Sequence, residues 1–203
     1  MMKKHIGNLL ILIAISMLII VGHGMLKNKQ HQEQLVESFA NIKTEAATSE
    51  SKGSQPTKDE DESTLSMERA DDAMGILTID SIDLQAPVVR GAAPEKLNKA
   101  LGTIDGLDEP ETINGTSAIA GHQSHVFGQF FNRLNELQIG DQFELETITE
   151  TLRYEIFDIV VVKPENVDIL KRQKGITLLS LVTCFPERSN QFRLVVQAKQ
   201  IYD

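Results

Sequence analysis

Leu178-Leu179-Ser180-Leu181-Val182-Thr183-Cys184, then Phe185-Pro186-Glu187-Arg188-Ser189-Asn190-Gln191, then Phe192-Arg193-Leu194-Val195-Val196-Gln197-Ala198, read as strand, connection and strand. Apolar and β-branched residues fill the outer two segments, while Pro, Ser and Asn break the pattern between them. Folded back as a hairpin, the pair would set Cys184 and Arg193 near the same end of a sheet. Cys184 is the only cysteine of the chain, so it cannot form an intramolecular disulfide. Two readings of the thiol are left, a nucleophile or a small buried hydrophobe.

Working upstream, the same strand signals recur. Gly75-Ile76-Leu77-Thr78-Ile79 and the run from Ile82 to Val89 predict two short strands joined near Asp80-Ser81. Pro94 to Leu101 opens on a proline and predicts one or two helical turns. Residues 102–115 are rich in turn formers, and Thr116 to Ala120 predicts a strand that stops at Gly121. Val126 to Leu137 carries Phe127, Phe130, Phe131, Leu134 and Leu137 at helical spacing. Gly140-Asp141 predicts a turn. Phe143, Leu145 and Thr147, then Leu152, Tyr154 and Ile156, alternate as a hairpin would. Ile159 to Val162 reads as a buried strand ending before Pro164. Many strands with few short helices predict a mostly β fold, a largely antiparallel barrel over residues 75–203.

The first third of the chain has a different character. Between Lys4 and Lys27 there is no Asp, Glu, Lys or Arg, and Leu9 to Val21 is mostly Leu, Ile, Ala, Met and Val. At about 1.5 Å per residue this stretch spans about 33 Å, enough to cross a bilayer. A small-residue cleavage pattern is missing after it, which favours an uncleaved anchor over a removed signal. The basic residues on its two sides nearly balance; residues 1–26 are expected to form a short cytoplasmic tip and a single transmembrane anchor in the cell membrane, with the rest of the chain outside the cell. Leu35, Phe39 and Ile42 make a weak apolar stripe, and residues 44–74 are almost wholly polar and charged. Such a segment cannot bury enough surface to offset its ordering entropy, so residues 27–74 are expected to be a largely disordered spacer.

The formal charge of −9 divides into +3 for residues 1–43, −6 for 44–74 and −6 for 75–203. An acidic folded portion carries no electrostatic footprint for nucleic acid.

The chemistry-bearing residues are few. A thiol with an ordinary pKa of about 8.5 is a slow nucleophile at neutral pH unless a neighbour assists it. His122, in Ala118-Ile119-Ala120-Gly121-His122, follows a predicted strand and could share the proton. Arg193 could stabilise an oxyanion or hold a substrate backbone. Taken singly, each has a bland reading: a buried cysteine, a solvated loop histidine, an edge arginine. Their conjunction in an exported domain favours covalent catalysis.

The three segments resemble those of the sortases, cysteine transpeptidases with a T-L-x-T-C strand motif, a histidine in A-G-H and an arginine on the strand after the cysteine. Here these are Ser180-Leu181-Val182-Thr183-Cys184, Ala120-Gly121-His122 and Arg193, with Ser180 in place of the first threonine. The resemblance extends over Gly75, Leu77 and Ile79 and over Phe130-Phe131-Asn132-Arg133-Leu134 up to Gly140-Asp141. Thr183-Cys184-Phe185-Pro186 is most similar to class D sortases of Gram-positive bacilli, with class A second; residues 44–74 lack the Asp-Pro-aromatic pattern of a class C lid.

The resemblance implies a sortase-like barrel and a set of roles. Cys184 would attack the threonine carbonyl of an LPxTG-like or LPNTA-like sorting signal. His122 would be general acid and base, Arg193 would bind the substrate backbone and oxyanion, and Thr183 would shape the pocket beside the thiol. The acceptor would be an amine of peptidoglycan or of its lipid-linked precursor, and no cofactor is implied. His122 and His125 lack a third ligand at suitable spacing, so no zinc site is expected. Glu109, Glu111 and Asp168 are conceivable calcium ligands of the kind some class A members use, but no metal is expected there either. Two other readings differ in kind. An L,D-transpeptidase would need Ser-His-Gly-Cys around the nucleophile, which this chain lacks. A membrane-tethered non-enzymatic β-domain binding a wall polymer or a signalling partner would leave Cys184 inert.

Overall fold

The computed structural model describes residues 73–123, 130–187 and 189–202. The proposed anchor, residues 27–72 of the proposed spacer and His125 lie outside the described residues; Ala73 and Met74, expected to end the spacer, instead begin the first strand. Among the described residues no helix is long and apolar enough to cross a membrane.

Eight strands close into a barrel: β1 Ala73–Ile79, β2 Leu84–Val89, β3 Leu101–Thr103, β4 Thr116–Ala120, β5 Gln142–Thr147, β6 Thr151–Val162, β7 Leu178–Phe185 and β8 Phe192–Ile201. One short helix, α1 Pro94–Leu97, begins on its proline, whose fixed φ suits the first helical position. Around the barrel the order is β1-β2-β3-β4-β7-β8-β6-β5, with β5 returning to β1. The sheet is antiparallel except at β2/β3 and β4/β7, which are parallel.

Side-chain alternation decides what fills the interior. Leu77 and Ile79 of β1, Leu145 of β5, Leu152, Tyr154 and Ile156 of β6, Leu179 and Leu181 of β7, and Leu194, Val196 and Ala198 of β8 form one core. Each of the Leu, Ile and Val side chains contributes about 1.5–3 kcal/mol by leaving water. Phe143 and Tyr154 face each other across β5/β6 and stack, with ring centroids 5.4 Å apart. The Tyr154 hydroxyl donates to the Pro110 carbonyl (3.2 Å), and burial holds its pKa well above the ordinary phenol range.

Three local expectations are corrected. Leu101 leaves the predicted helical stretch and starts β3, because Val88 and Val89 of β2 lie alongside Leu101 and Gly102. Ile159–Val162 is not a separate buried strand. It continues β6 past an irregularity between Ile156 and Asp158, and it is half-buried with Val161 exposed. The helical spacing before Leu137 does not give a helix in its described part. Phe130 has φ +52°, a left-handed conformation, and bridges Gln123; a turn and the 3₁₀ turn Leu134–Glu136 follow. Phe130, Phe131, Leu134 and Leu137 are nevertheless all buried. The spacing reported one buried face, which a turn-rich segment fastened at both ends supplies as well as a helix does. Arg133 provides part of that fastening, donating to the Ile82 carbonyl (2.9 Å) and pairing with Asp83 and Glu136.

Candidate active site

The β7/β8 ladder sets Cys184 directly opposite Arg193. Directly paired residues project from the same face of a sheet, with Cα atoms about 4.5–5.5 Å apart. Leu181 and Leu194 belong to the inward set, so the alternate positions Val182, Cys184, Arg193 and Val195 face outward. The Cys184 thiol is free and half-buried. The guanidinium of Arg193 is braced by its own connection: Nη1 donates to the carbonyls of Phe192 (2.9 Å) and Asn190 (3.2 Å). Its Nε and Nη2 make no hydrogen bond among the described residues.

His122 arrives by a different route. In the parallel β4/β7 ladder Ala120 lies beside Val182, and Gly121 N–H continues the ladder by donating to the Val182 carbonyl (3.1 Å). Thr183 Oγ1 donates to the Gly121 carbonyl (2.9 Å). These two bonds carry the chain to His122 alongside the cysteine end of β7. The histidine itself is exposed, and its carbonyl accepts from Phe131 N–H (3.2 Å). Only glycine fits at position 121. A Cβ there would lie 2.6 Å from both Leu101 Cδ2 and Phe131 Cδ2, and Phe131 is fully buried.

The four sequence-derived site residues therefore occupy one barrel end: Cys184, Arg193 and Thr183 on the β7/β8 hairpin, and His122 just past β4. Thr183 points inward and is buried, where its hydroxyl joins β7 to Gly121. The conceivable calcium ligands have other company. Glu109 pairs with Arg90, Glu111 accepts from Thr149 Oγ1 (2.8 Å), and Asp168 pairs with Lys171 (2.8 Å). Among the described residues no three His, Cys, Asp or Glu side chains are grouped to hold a metal ion.

Sequence reasoning missed the support beneath the outer face. Gln197, buried on β8, donates to the Ile169 carbonyl (2.7 Å) and accepts from Gln173 Nε2 (3.2 Å). The available signal was a single amide inside the apolar run Leu194-Val195-Val196-Gln197-Ala198. It sits opposite Ser180, whose fully buried hydroxyl has no hydrogen-bond partner among the described residues.

The sortase-domain family model matches residues 77–201. Sortase D of Bacillus subtilis (strain 168) is 29% identical over 171 residues, covering 83% of this chain and 84% of that protein. Sortase A of Staphylococcus aureus (strain NCTC 8325 / PS 47) is 25% identical over 195 residues, covering 90% and 89%. Among solved structures, sortase C-1 of Actinomyces oris superposes with a TM-score of 0.62 at 31% identity, over 82% of this chain and 99% of that one. The match spans the barrel from within β1 to the end of β8, so it takes in the thiol–arginine pair and the strand that leads to His122: the chain belongs to the sortase family of cysteine transpeptidases.

Proposed function

We propose that the chain is a membrane-anchored sortase that cleaves an LPxTG-like or LPNTA-like sorting signal after its threonine and joins the protein to a peptidoglycan amine. The observation that carries the assignment of roles is the pairing of Cys184 with Arg193, together with the Gly121–Val182 and Gly121–Thr183 bonds that bring His122 alongside.

The Cys184 thiol passes its proton to His122, and the sulfur attacks the threonine carbonyl carbon; the C–S bond forms as the carbonyl π pair moves to oxygen. Arg193 donates to that oxyanion from Nε and Nη2, which have no partner among the described residues. Collapse breaks the C–N bond to the next residue; His122 gives the departing amine its proton, leaving a thioester. An acceptor amine then attacks the thioester, His122 takes its proton, and Cys184 departs as thiolate. Water in place of the amine gives hydrolysis. The strip of Ala120, Val182, Cys184 and Arg193, half-buried on the outer face, offers an extended peptide a floor that ends at the thiol.

The 29% identity to Sortase D of Bacillus subtilis and the Thr183-Cys184-Phe185-Pro186 motif favour class D, with class A second. Residues 1–26 serve as the cytoplasmic tip and anchor and residues 27–72 as the spacer, with the barrel outside the cell. These assignments rest on the apolar run between Lys4 and Lys27 and the polar composition after it.

The test is intact-mass analysis of the full chain, purified in detergent, after incubation with peptides bearing each signal. A thioester adduct cleaved after threonine, absent from Cys184→Ala, is the expected outcome. Cleavage that survives in Cys184→Ala would sink the assignment.

A further inference from the structure

At the foot of the barrel, the end opposite Cys184, β1, β4, β6 and β7 begin and β5 and β8 end. The β3–β4 connection crosses this foot and is pinned there. The Pro110 carbonyl takes the Tyr154 hydroxyl on its inner side (3.2 Å). Glu111 accepts from Thr149 Oγ1 of the β5–β6 turn (2.8 Å), and Asn114 N–H donates to Thr177 Oγ1 just before β7 (2.9 Å). Thr177 Oγ1 also meets the hydroxyl of Tyr202, just past β8 (3.3 Å). Ile113 lies between these fixed points, on a turn closed by Gly115 N–H and the Thr112 carbonyl (2.8 Å). Its side chain is nevertheless 73% exposed, Tyr202 is 68% exposed, and Ile148, beside Thr149, is exposed as well.

A single exposed isoleucine is ordinary on a protein surface. Three large apolar side chains gathered at one end, the central one held on both sides, form a patch that needs a cover. Its size decides what covers it. Three side chains fall well short of the roughly 800 Å² per partner that a stable interface buries, so a second copy gains too little from it. A segment already attached to the barrel needs far less, because a short flexible tether holds it at an effective concentration of about a millimolar or more. β1 begins at Ala73 at this same end. It is separated from β8 around the barrel by β5 and β6, about 14 Å at about 4.8 Å per strand spacing. Met67 precedes Ala73 by about six residues and Leu65 by about eight, reaches of up to about 20 and 27 Å. These two are the only large apolar residues between positions 44 and 72, and Arg69 follows them. Glu111 and Glu150 present exposed carboxylates beside the patch, which suit Arg69 and repel an anionic lipid surface.

We propose that the foot of the barrel binds the chain's own upstream segment, with Leu65 and Met67 covering Ile113 and Tyr202 and Arg69 set against Glu111 and Glu150. The tether then leaves from the middle of the foot rather than from its rim at β1, and the free part of the spacer ends near residue 64. The inference goes beyond the transpeptidase reading and does not depend on it.

The experiment places a benzophenone amino acid at the exposed position 113 of the full chain, held in nanodiscs of phosphatidylglycerol and phosphatidylethanolamine, and maps the photoadducts by mass spectrometry. The expected adducts join position 113 to residues 62–70 of the same chain and disappear in Leu65→Ser/Met67→Ser. Amide exchange over residues 63–69 should run about tenfold faster in Ile113→Asp than in the parent, the scale of losing a small apolar contact, and Arg69→Glu should quicken it too. Cleavage of a soluble signal peptide should keep its parental rate in all three variants, since the thiol is at the other end. Adducts to lipid or to a second copy in place of residues 62–70 overturn the inference. So do adducts that persist in Leu65→Ser/Met67→Ser, or no adduct at all. A parent chain that cleaves signal peptides and gives one of those results refutes this inference alone.

Discussion

At the scale of single residues, position 121 decides the geometry of the proposed site. Gly121 lets Phe131 and Leu101 close against the backbone just where the chain turns toward His122. Gly121→Ala forces a buried ring and a buried leucine to shift, an overpacking cost of about 1–3 kcal/mol. Its expected signature is a lower melting temperature and, through displaced His122, a fall in kcat/KM beyond what stability explains; unchanged kinetics at a temperature where the variant is folded would refute that role. Arg193 invites a second substitution. Its Nη1 is committed to Asn190 and Phe192, so orientation of the remaining donors comes from the planar guanidinium itself. In Arg193→Lys a single ammonium must choose between the connection and the substrate. The expected loss is about 10²-fold in kcat, the scale of one oxyanion donor; steady-state rates near those of the parent would remove Arg193 from the oxyanion role.

At the scale of elements, the β3–β4 and β6–β7 connections are joined by charge. Asp108 has its pKa lowered chiefly by the Thr116 N–H and next by Arg172. A depressed folded-state value means that the unfolded chain binds the proton more tightly. The contribution of Asp108 is thus fully present above the ordinary aspartate value of about 3.9 and is lost as pH falls from there through the lower folded-state value. Melting temperatures of the parent and Asp108→Asn should accordingly differ at pH 6 and converge as the medium is acidified past about pH 4. A gap that stays constant over that range would show that the carboxylate charge does not fasten the connection. The β7/β8 hairpin needs no such long-range tie, since its register is fixed by alternation and by one short connection.

At the scale of the whole molecule, strand direction separates tether from site. β1, β4, β6 and β7 run toward the thiol end, while β2, β3, β5 and β8 run away from it. The described chain therefore starts at Ala73, at the barrel end opposite Cys184. An anchor upstream of Ala73 would leave the thiol end facing away from the membrane, and a spacer would then supply the reach and turning freedom needed to approach substrates attached to the wall.

The sequence by itself determined the mostly β character, the terminal strand pair and the placing of Cys184 and Arg193 near one sheet end; their direct facing came from the β7/β8 register. Those features are local: a period of two and turn residues over 185–191 survive in one dimension. The A-G-H motif could be quoted from the sequence, but its steric reason could not, because Leu101 and Phe131 meet Gly121 only in three dimensions. Only the tertiary structure decided that β4 runs parallel to β7, that the three-residue β3 exists at all, and that Phe130 turns left-handed inside an apparently helical pattern. It alone brought Asp108 to Arg172 and Thr116 to Leu170, across 64 and 54 residues of chain. Parallel pairing and loop fastening join segments far apart in sequence, and nothing in the local pattern of either segment names its partner.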